Sequence, residues 1–430
     1  MNTTEILNMI DTGKLDQVLS RLYGNEGSVL SKQRIRCRNA VETYASFFPT
    51  NKDEVFLFSA PGRTEVGGNH TDHQHGRVLA AAVDMDILAV VGKRNDMMVN
   101  LQSDGYPMIS VDISDLEIKE KEKAKTSALI RGVAARFLQL GEKISGLDIY
   151  SVSSVPRGSG LSSSAAFEVL MGTIFDQLFC GGRTGPEEIA RIGQYAENVY
   201  FDKACGLMDQ MVSSVGGFVK IDFQDPQNPS ISRYDVNLED GGLCLIVTDT
   251  KGSHAKLSDE YTRIPLEMHC VAEALGHTVL RDVGEEVFYK ALPKLREDPS
   301  VSDRAILRSA HFFADDKRAE EEAEALSKKD FSRFLELVNE SGDSSAVFLQ
   351  NLFCCDIPEE QGIPLGLLLS RKVLSGKGAC RVHGGGFAGT IQAFVPKEKV
   401  DEYIGTLEGV FGKGACHLLR IRPEGGIRLL

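Results

Sequence analysis

The hydrophobic pattern opens with a helical period. Leu7, Ile10, Leu15, Val18, Leu19 and Leu22 recur at helical spacing, so residues 1 to about 48 are predicted to be helical. Glycines at 24–27 punctuate this region, a second helix runs over 34–48, and Pro49-Thr50-Asn51 ends it. The period then changes. Residues 55–59 read as a strand running straight into a polar, glycine-rich loop at 60–76. The apolar run 78–91, broken by Asp84 and Asp86, and the stretch 97–101 are strand-rich, with a turn at 92–96. A short mixed-charge run at 119–125 reads as a solvated helix face or loop. Helices are expected at 127–140, 165–177 and 186–200, with a strand at 147–152. A loop-and-helix unit at 201–217 leads into a strand at 218–223. Two prolines and an asparagine at 225–230 suggest a connection between domains. A strand at 243–248 opens a second domain, in which helices dominate 257–374 and the charged stretch 315–324 reads as an exposed helix face. The run 390–395 and the C-terminal stretch 416–430 supply further strands.

Composition narrows the class. At 430 residues the chain exceeds one small core, and two domains are the prior. The 42% hydrophobic and 25% charged content is that of a globular protein. A net charge of −13 argues against a nucleic-acid binder. The N-terminus carries acidic residues and lacks the apolar core of a signal peptide, and no apolar run is long enough to span a bilayer. The nine cysteines are scattered without C-x-x-C pairs, which suggests reduced, cytoplasmic thiols and no zinc site.

Candidate chemistry centres on P-R-G-S-G-L-S-S-S-A-A-F-E at 156–168. A strand, a small-residue loop and a helix start in that order form an anion cradle. Gly158 and Gly160 allow close backbone approach, the serines can cap the helix, and the open N–H groups favour phosphate. No Gly-Lys-Ser/Thr follows, so the loop is not a Walker A motif. Asp209, in C-G-L-M-D-Q, is either a helix cap or a base that accepts a proton from a substrate hydroxyl. Arg63, in A-P-G-R, is either a structural ion-pair partner or a cation that neutralises a transferring phosphoryl group. Asn69, His70 and Asp72 lie within four residues, with His73 and His75 nearby. Metal binding is one reading, and a polyhydroxylated ligand suits the mixed donors and acceptors better. Glu197 is either a surface carboxylate or, with Ser164, a magnesium ligand.

Three of these stretches, in order, resemble the galactokinase branch of the GHMP small-molecule kinases. Residues 60–76 follow the frame of A-P-G-R-x-N-L-I-G-E-H-T-D-Y-x-x-G, residues 156–166 match P-x-G-x-G-L-S-S-S-A-A/S, and residues 384–389 are close to G-G-G-F-G-G. M-D-Q at 208–210 and S-A-H-F-F-A-D-D-K-R at 309–318 resemble further blocks of the family. The resemblance covers residues 34–430 and leaves 1–33 as a helical extension. It implies an α+β fold of two GHMP kinase domains, 34–235 with a ribosomal protein S5-like fold and 236–430. ATP and a monosaccharide would meet between them. Under that resemblance Asp209 is the catalytic base and Arg63 its partner. Ser164 and Glu197 hold Mg²⁺. Asn69, His70, Asp72 and Tyr261 bind the sugar. Pro156, Gly158, Ser159, Gly160, Leu161, Ser162, Ser163, Ser164 and Ala165 form the ATP loop, with Gly385 and Gly386 beside it. The implied reaction is ATP-dependent phosphorylation of the anomeric hydroxyl of galactose. The alternatives are a kinase for arabinose or N-acetylgalactosamine, and a non-catalytic sugar sensor, which the intact second motif argues against. No nucleic acid or membrane partner is implied, and the oligomeric state is open. This chain departs from the pattern at Asn69, where the family has a glutamate, and at His73, His383 and Ala388. Restoring a glutamate at 69 is expected to sharpen galactose affinity.

Overall fold

Two adjacent residues, Leu57 and Phe58, show how the first half of the chain is layered. Both are fully buried, yet on opposite faces of one sheet, because successive strand side chains alternate sides. The computed structural model describes residues 1–156, 158–252 and 257–430. Its first sheet is built from β1 (Val55–Gly67), β2 (Arg77–Lys93), β3 (Met98–Ser103), β4 (Ile109–Asp112), β5 (Leu147–Ser153), β6 (Phe218–Asp222) and β7 (Ser230–Tyr234). Leu57, Leu88 and Val90 face the N-terminal helices Thr3–Asp11, Asp16–Tyr23 and Gly27–Phe47. Phe58, Ala89 and Val91 face the helices Thr126–Gln139 and Ser163–Phe175. Both faces of β2 are covered, which is why its sequence reads as a continuous apolar run rather than an alternation.

The second sheet has the order β11-β8-β10-β9, all antiparallel, with β8 (Leu243–Asp249), β9 (Ala379–His383), β10 (Thr390–Pro396) and β11 (Cys416–Leu419). A core containing Val66, Leu79, Leu245, Val247, Leu326 and Phe334 joins the two sheets. The last strand, β12 (Ile427–Arg428), returns to pair with β1. Asp86, which interrupts the apolar run of β2, ties these distant segments together. It accepts from Tyr23 Oη (2.6 Å), Arg36 Nη1 (2.6 Å) and Arg422 Nη1 (3.2 Å).

Several expectations change. The first predicted helix is two, broken at Gly13, whose φ is 72°. The 60–76 segment is not all loop, because β1 continues to Gly67 with register shifts after Pro61 and Glu65. The proline-containing 225–230 segment is a hairpin turn between β6 and β7, and the crossing to the second sheet comes after Tyr234. The charged stretch 315–324 is not an exposed face. Asp315, Ala319, Glu322 and Ala323 of the helix Asp303–Ser327 are fully buried. All nine cysteines are free, and among the described residues no helix is long and apolar enough to cross a membrane.

Candidate active site

Close approach of β1 to the loop at 156–162 creates the first half of the site. A Cβ on Gly62 would lie 2.6 Å from the Leu161 carbonyl oxygen, so only glycine permits this contact. The next residue, Arg63, donates its backbone N–H to that carbonyl at 3.0 Å. Its guanidinium forks onto Asp209, Nε to Oδ1 at 2.7 Å and Nη2 to Oδ2 at 2.6 Å, and Nη1 donates to the Gly160 carbonyl. Asp209 occupies the first turn of the helix Met208–Val215, where the helix dipole favours a carboxylate. Burial pushes its carboxyl up. The Arg63 charge and hydrogen bonds, with one from Ser162, outweigh burial and hold it below the usual carboxylate range. Its side chain stays 29% exposed, so the carboxylate remains accessible.

The loop itself is conformationally unusual. Gly158 (φ 73°), Gly160 (φ 71°) and Ser162 (φ 56°) all adopt left-handed backbone. A Cβ on Gly158 would meet nothing within 4 Å, so the loop presents open space there. Ser159 Oγ donates to the Pro156 carbonyl at 2.8 Å and pins the turn, while Leu161 and Ala165 are buried beneath it. The expected serine cap is absent. Ser162 precedes the helix Ser163–Phe175 without a side-chain cap bond, because its left-handed backbone does not aim the hydroxyl back at the helix. Its first-turn N–H groups, with Ser163 and Ser164 half-buried beside them, are left for an anion.

Glu197 lies in the wide turn Ala196–Phe201 and is 2% exposed. It accepts from Lys203 Nζ at 2.8 Å and from Gln210 Nε2 at 2.9 Å. The same Gln210 nitrogen donates to Glu168 at 2.9 Å. Glu168 is fully buried with one oxygen unpartnered, and burial, then the Glu197 charge, pushes its carboxyl well above the usual range.

The second half of the site is built around Asn69, which is 1% exposed. Its amide nitrogen donates to Glu65 Oε1 (2.8 Å) and to the Gly384 carbonyl (2.9 Å). Its amide oxygen accepts from Asn351 (2.9 Å) and Ser345 (3.4 Å). Its backbone N–H donates to Asp315 (2.8 Å), and its carbonyl accepts from His311 (2.9 Å). Every polar group of Asn69 therefore has a protein partner. His70, held at φ 60°, donates from Nε2 to the Gly385 carbonyl at 3.0 Å. Burial, then neighbouring His73, keeps its imidazole well below the usual histidine range. Asp72 accepts from the His73 N–H through Oδ1, and its Oδ2 points toward Gly206, just before the Asp209 helix. Tyr261 Oη donates to the Gly386 carbonyl at 2.9 Å, and its ring packs edge-on to Phe387.

Gly385 and Gly386 thus sit among His70, Tyr261 and Asn351. A Cβ on Gly385 would come 2.6 Å from Tyr261, and one on Gly386 would come 2.2 Å from the Asn351 carbonyl. The third motif approaches the phosphate loop through His383, which hydrogen-bonds Thr64 (3.0 Å) and Thr390 (2.9 Å). A Cβ on Gly160 would lie 3.0 Å from its ring. Sequence reasoning missed Glu65, Glu168, Lys203, Asn351, Arg381 and Glu322, and it marked His311, Asp315 and Arg318 only as part of a family block, without seeing that these three and Glu322 form one inward stripe. That stripe recurs at helical spacing, which is the signal that could have marked it as one inward face.

Residues 42–93 match the family model for the galactokinase galactose-binding signature, and residues 128–217 match the GHMP kinases N-terminal domain. The chain is 30% identical over 377 residues to a galactokinase of Streptomyces coelicolor, covering 87% of this chain and 94% of that protein. Lactococcus lactis galactokinase, solved with galactose, superposes with a TM-score of 0.74 at 22% identity over 90% of this chain and 98% of that one. The mevalonate kinase of Methanococcus jannaschii shares the fold, with a TM-score of 0.60 at 14% identity over 86% of this chain and 99% of that one. A conserved length, both family signatures and the two-domain α+β fold agree, and the chain belongs to the galactokinase family of the GHMP kinases.

Proposed function

We propose that this protein transfers the γ-phosphoryl group of ATP to the anomeric hydroxyl of galactose, giving galactose 1-phosphate and ADP. The observation that carries the reading is the two-pronged Arg63–Asp209 pair hydrogen-bonded to the phosphate loop beside an uncapped helix start. Asp209 accepts the proton of the attacking hydroxyl. A bond forms between the anomeric oxygen and γ-phosphorus as the bond to the β,γ-bridging oxygen breaks, and ADP departs with that oxygen. Arg63 keeps Asp209 ionised and aimed, and its charge offsets that on the transferring group. Positioning and electrostatics supply most of the acceleration in such a reaction. His70, Asp72 and Tyr261 orient the sugar, and Asn69 acts at one remove by locking the loop that carries His70.

Ser164 and Glu197 offer hard oxygen donors of the kind magnesium takes with nucleotide phosphates. The fit rests on Glu197, whose Oε1 is held by the ammonium of Lys203, a side chain 59% exposed and free to swing out. A bound Mg²⁺ would neutralise phosphate charge there. The reaction is that of a cytoplasmic enzyme using MgATP and a free monosaccharide.

An ADP-release assay over a panel of monosaccharides tests this. Galactose is expected to give the highest kcat/KM. A strong preference for a sugar without the sixth-carbon hydroxyl, or no ADP release from any sugar despite ATP binding, would overturn it.

A further inference from the structure

Lys203 stands out as a cation that the proposed chemistry does not use. Its backbone N–H donates to the Glu197 carbonyl at 3.2 Å, which anchors the residue over the turn that carries this carboxylate. Its Nζ closes on Glu197 Oε1 at 2.8 Å. Glu197 is buried, and its other oxygen is held by the neutral Gln210 amide, so among the described residues Lys203 is the cation in contact with it. Keeping a buried carboxylate charged without a counter-ion is costly, and Lys203 supplies that counter-ion to Glu197.

From this geometry we infer that Lys203 is a built-in counter-ion that occupies the cation position on Glu197 until a divalent metal arrives with nucleotide, and that it sets the metal concentration the protein requires. The inference rests on Glu197 being a metal ligand. A divalent ion and the ammonium compete for Oε1, because two cations at contact with one oxygen repel each other. Most of the Lys203 side chain is exposed, so it can rotate into solvent without disturbing the core. Lys203 is therefore a positioning residue: it holds Glu197 in place and yields it.

The test measures binding of Mn²⁺, as a paramagnetic probe, to the full chain in the presence of an ATP analogue with a β,γ-imido bridge. Lys203→Met is expected to tighten Mn²⁺ binding about tenfold, the scale of removing one competing charge from a half-open site. It should also lower the unfolding temperature of the metal-free protein, with added metal restoring it. Lys203→Arg keeps the charge and is expected to leave the Mn²⁺ midpoint near that of the parent. Unchanged or weaker Mn²⁺ binding in Lys203→Met would overturn the inference. Glu197→Gln separates the two readings. If it weakens Mn²⁺ binding while Lys203→Met does nothing, the metal site stands and the counter-ion does not. If Glu197→Gln leaves Mn²⁺ binding unchanged, the metal reading itself falls.

Discussion

The two halves of the active site are built on opposite principles. At Gly158, Gly160 and Ser162 the backbone is left-handed, the helix start is uncapped, and a glycine faces open space. At Asn69 itself every donor and acceptor is taken, and Gly385 and Gly386 are packed against Tyr261 and Asn351 with no room for a methyl group. The first half carries unsatisfied hydrogen-bonding capacity, which is affordable only because a ligand or water completes it. The second is a closed interlock between β1, the long helix Asp303–Ser327 and the β9–β10 turn, segments far apart in the sequence. Polar residues of the same types thus serve two purposes. In one place they await a ligand, and in the other they fix the relative position of the two sheets between which the ligand must fit.

That contrast can be broken first on its open side. Asp209→Asn keeps the shape of the side chain and removes its ability to take a proton. Turnover should fall about 10²–10⁴-fold, the usual worth of acid–base catalysis, while galactose binding measured by calorimetry is largely kept. Near-normal turnover would remove Asp209 from the role of base.

On the closed side, the hydrogen bonds of Asn69 lead us to expect the opposite of what the family pattern suggested. Asn69→Glu should not sharpen galactose affinity. A carboxylate cannot donate to Glu65 or to the Gly384 carbonyl, and it would set a second negative charge beside the buried Glu65. We expect stability to drop by about 3 kcal/mol, the scale of a buried charge left with the wrong partners, and galactose binding to weaken with it. Urea denaturation and calorimetry on the variant decide this. A variant as stable as the parent that binds galactose more tightly would mean that Asn69 contacts the sugar after all.

The smallest expected effect sharpens the boundary between the halves. His383 is pushed down to about 3 by burial, with the Arg63 and Arg381 charges adding to it. A histidine whose pKa is depressed on folding supports stability above its unfolded value of about 6.5 and loses that support as pH falls toward the folded value. Denaturation midpoints should therefore decline from pH 7 to pH 4. In His383→Thr, which keeps a hydroxyl beside Thr64 and Thr390, the decline should be shallower. Parallel pH profiles for the two proteins would assign the acid sensitivity to other groups.

The chain's own order of residues determined more of the open half than of the closed one. Gly158, Gly160 and the three serines sit in one short run between a strand and a helix, so local physics was enough to read an anion cradle there. The pattern also marked β1, β2 and the helices that follow the phosphate loop, because their hydrophobic periods are long and regular. The pairing of Arg63 with Asp209, 146 positions away, came only from the family resemblance and not from the hydrophobic pattern, and nothing in the pattern showed that the charged stretch after His311 turns inward. Charge alone made Asp315 and Glu322 look solvated. Only tertiary packing brings Asn69 to Asp315, or Gln210 to Glu168. The physical reason is one of range. Periodicity and turn chemistry are set by neighbours within a few residues, whereas a buried polar side chain owes its place to partners that the chain delivers from far away.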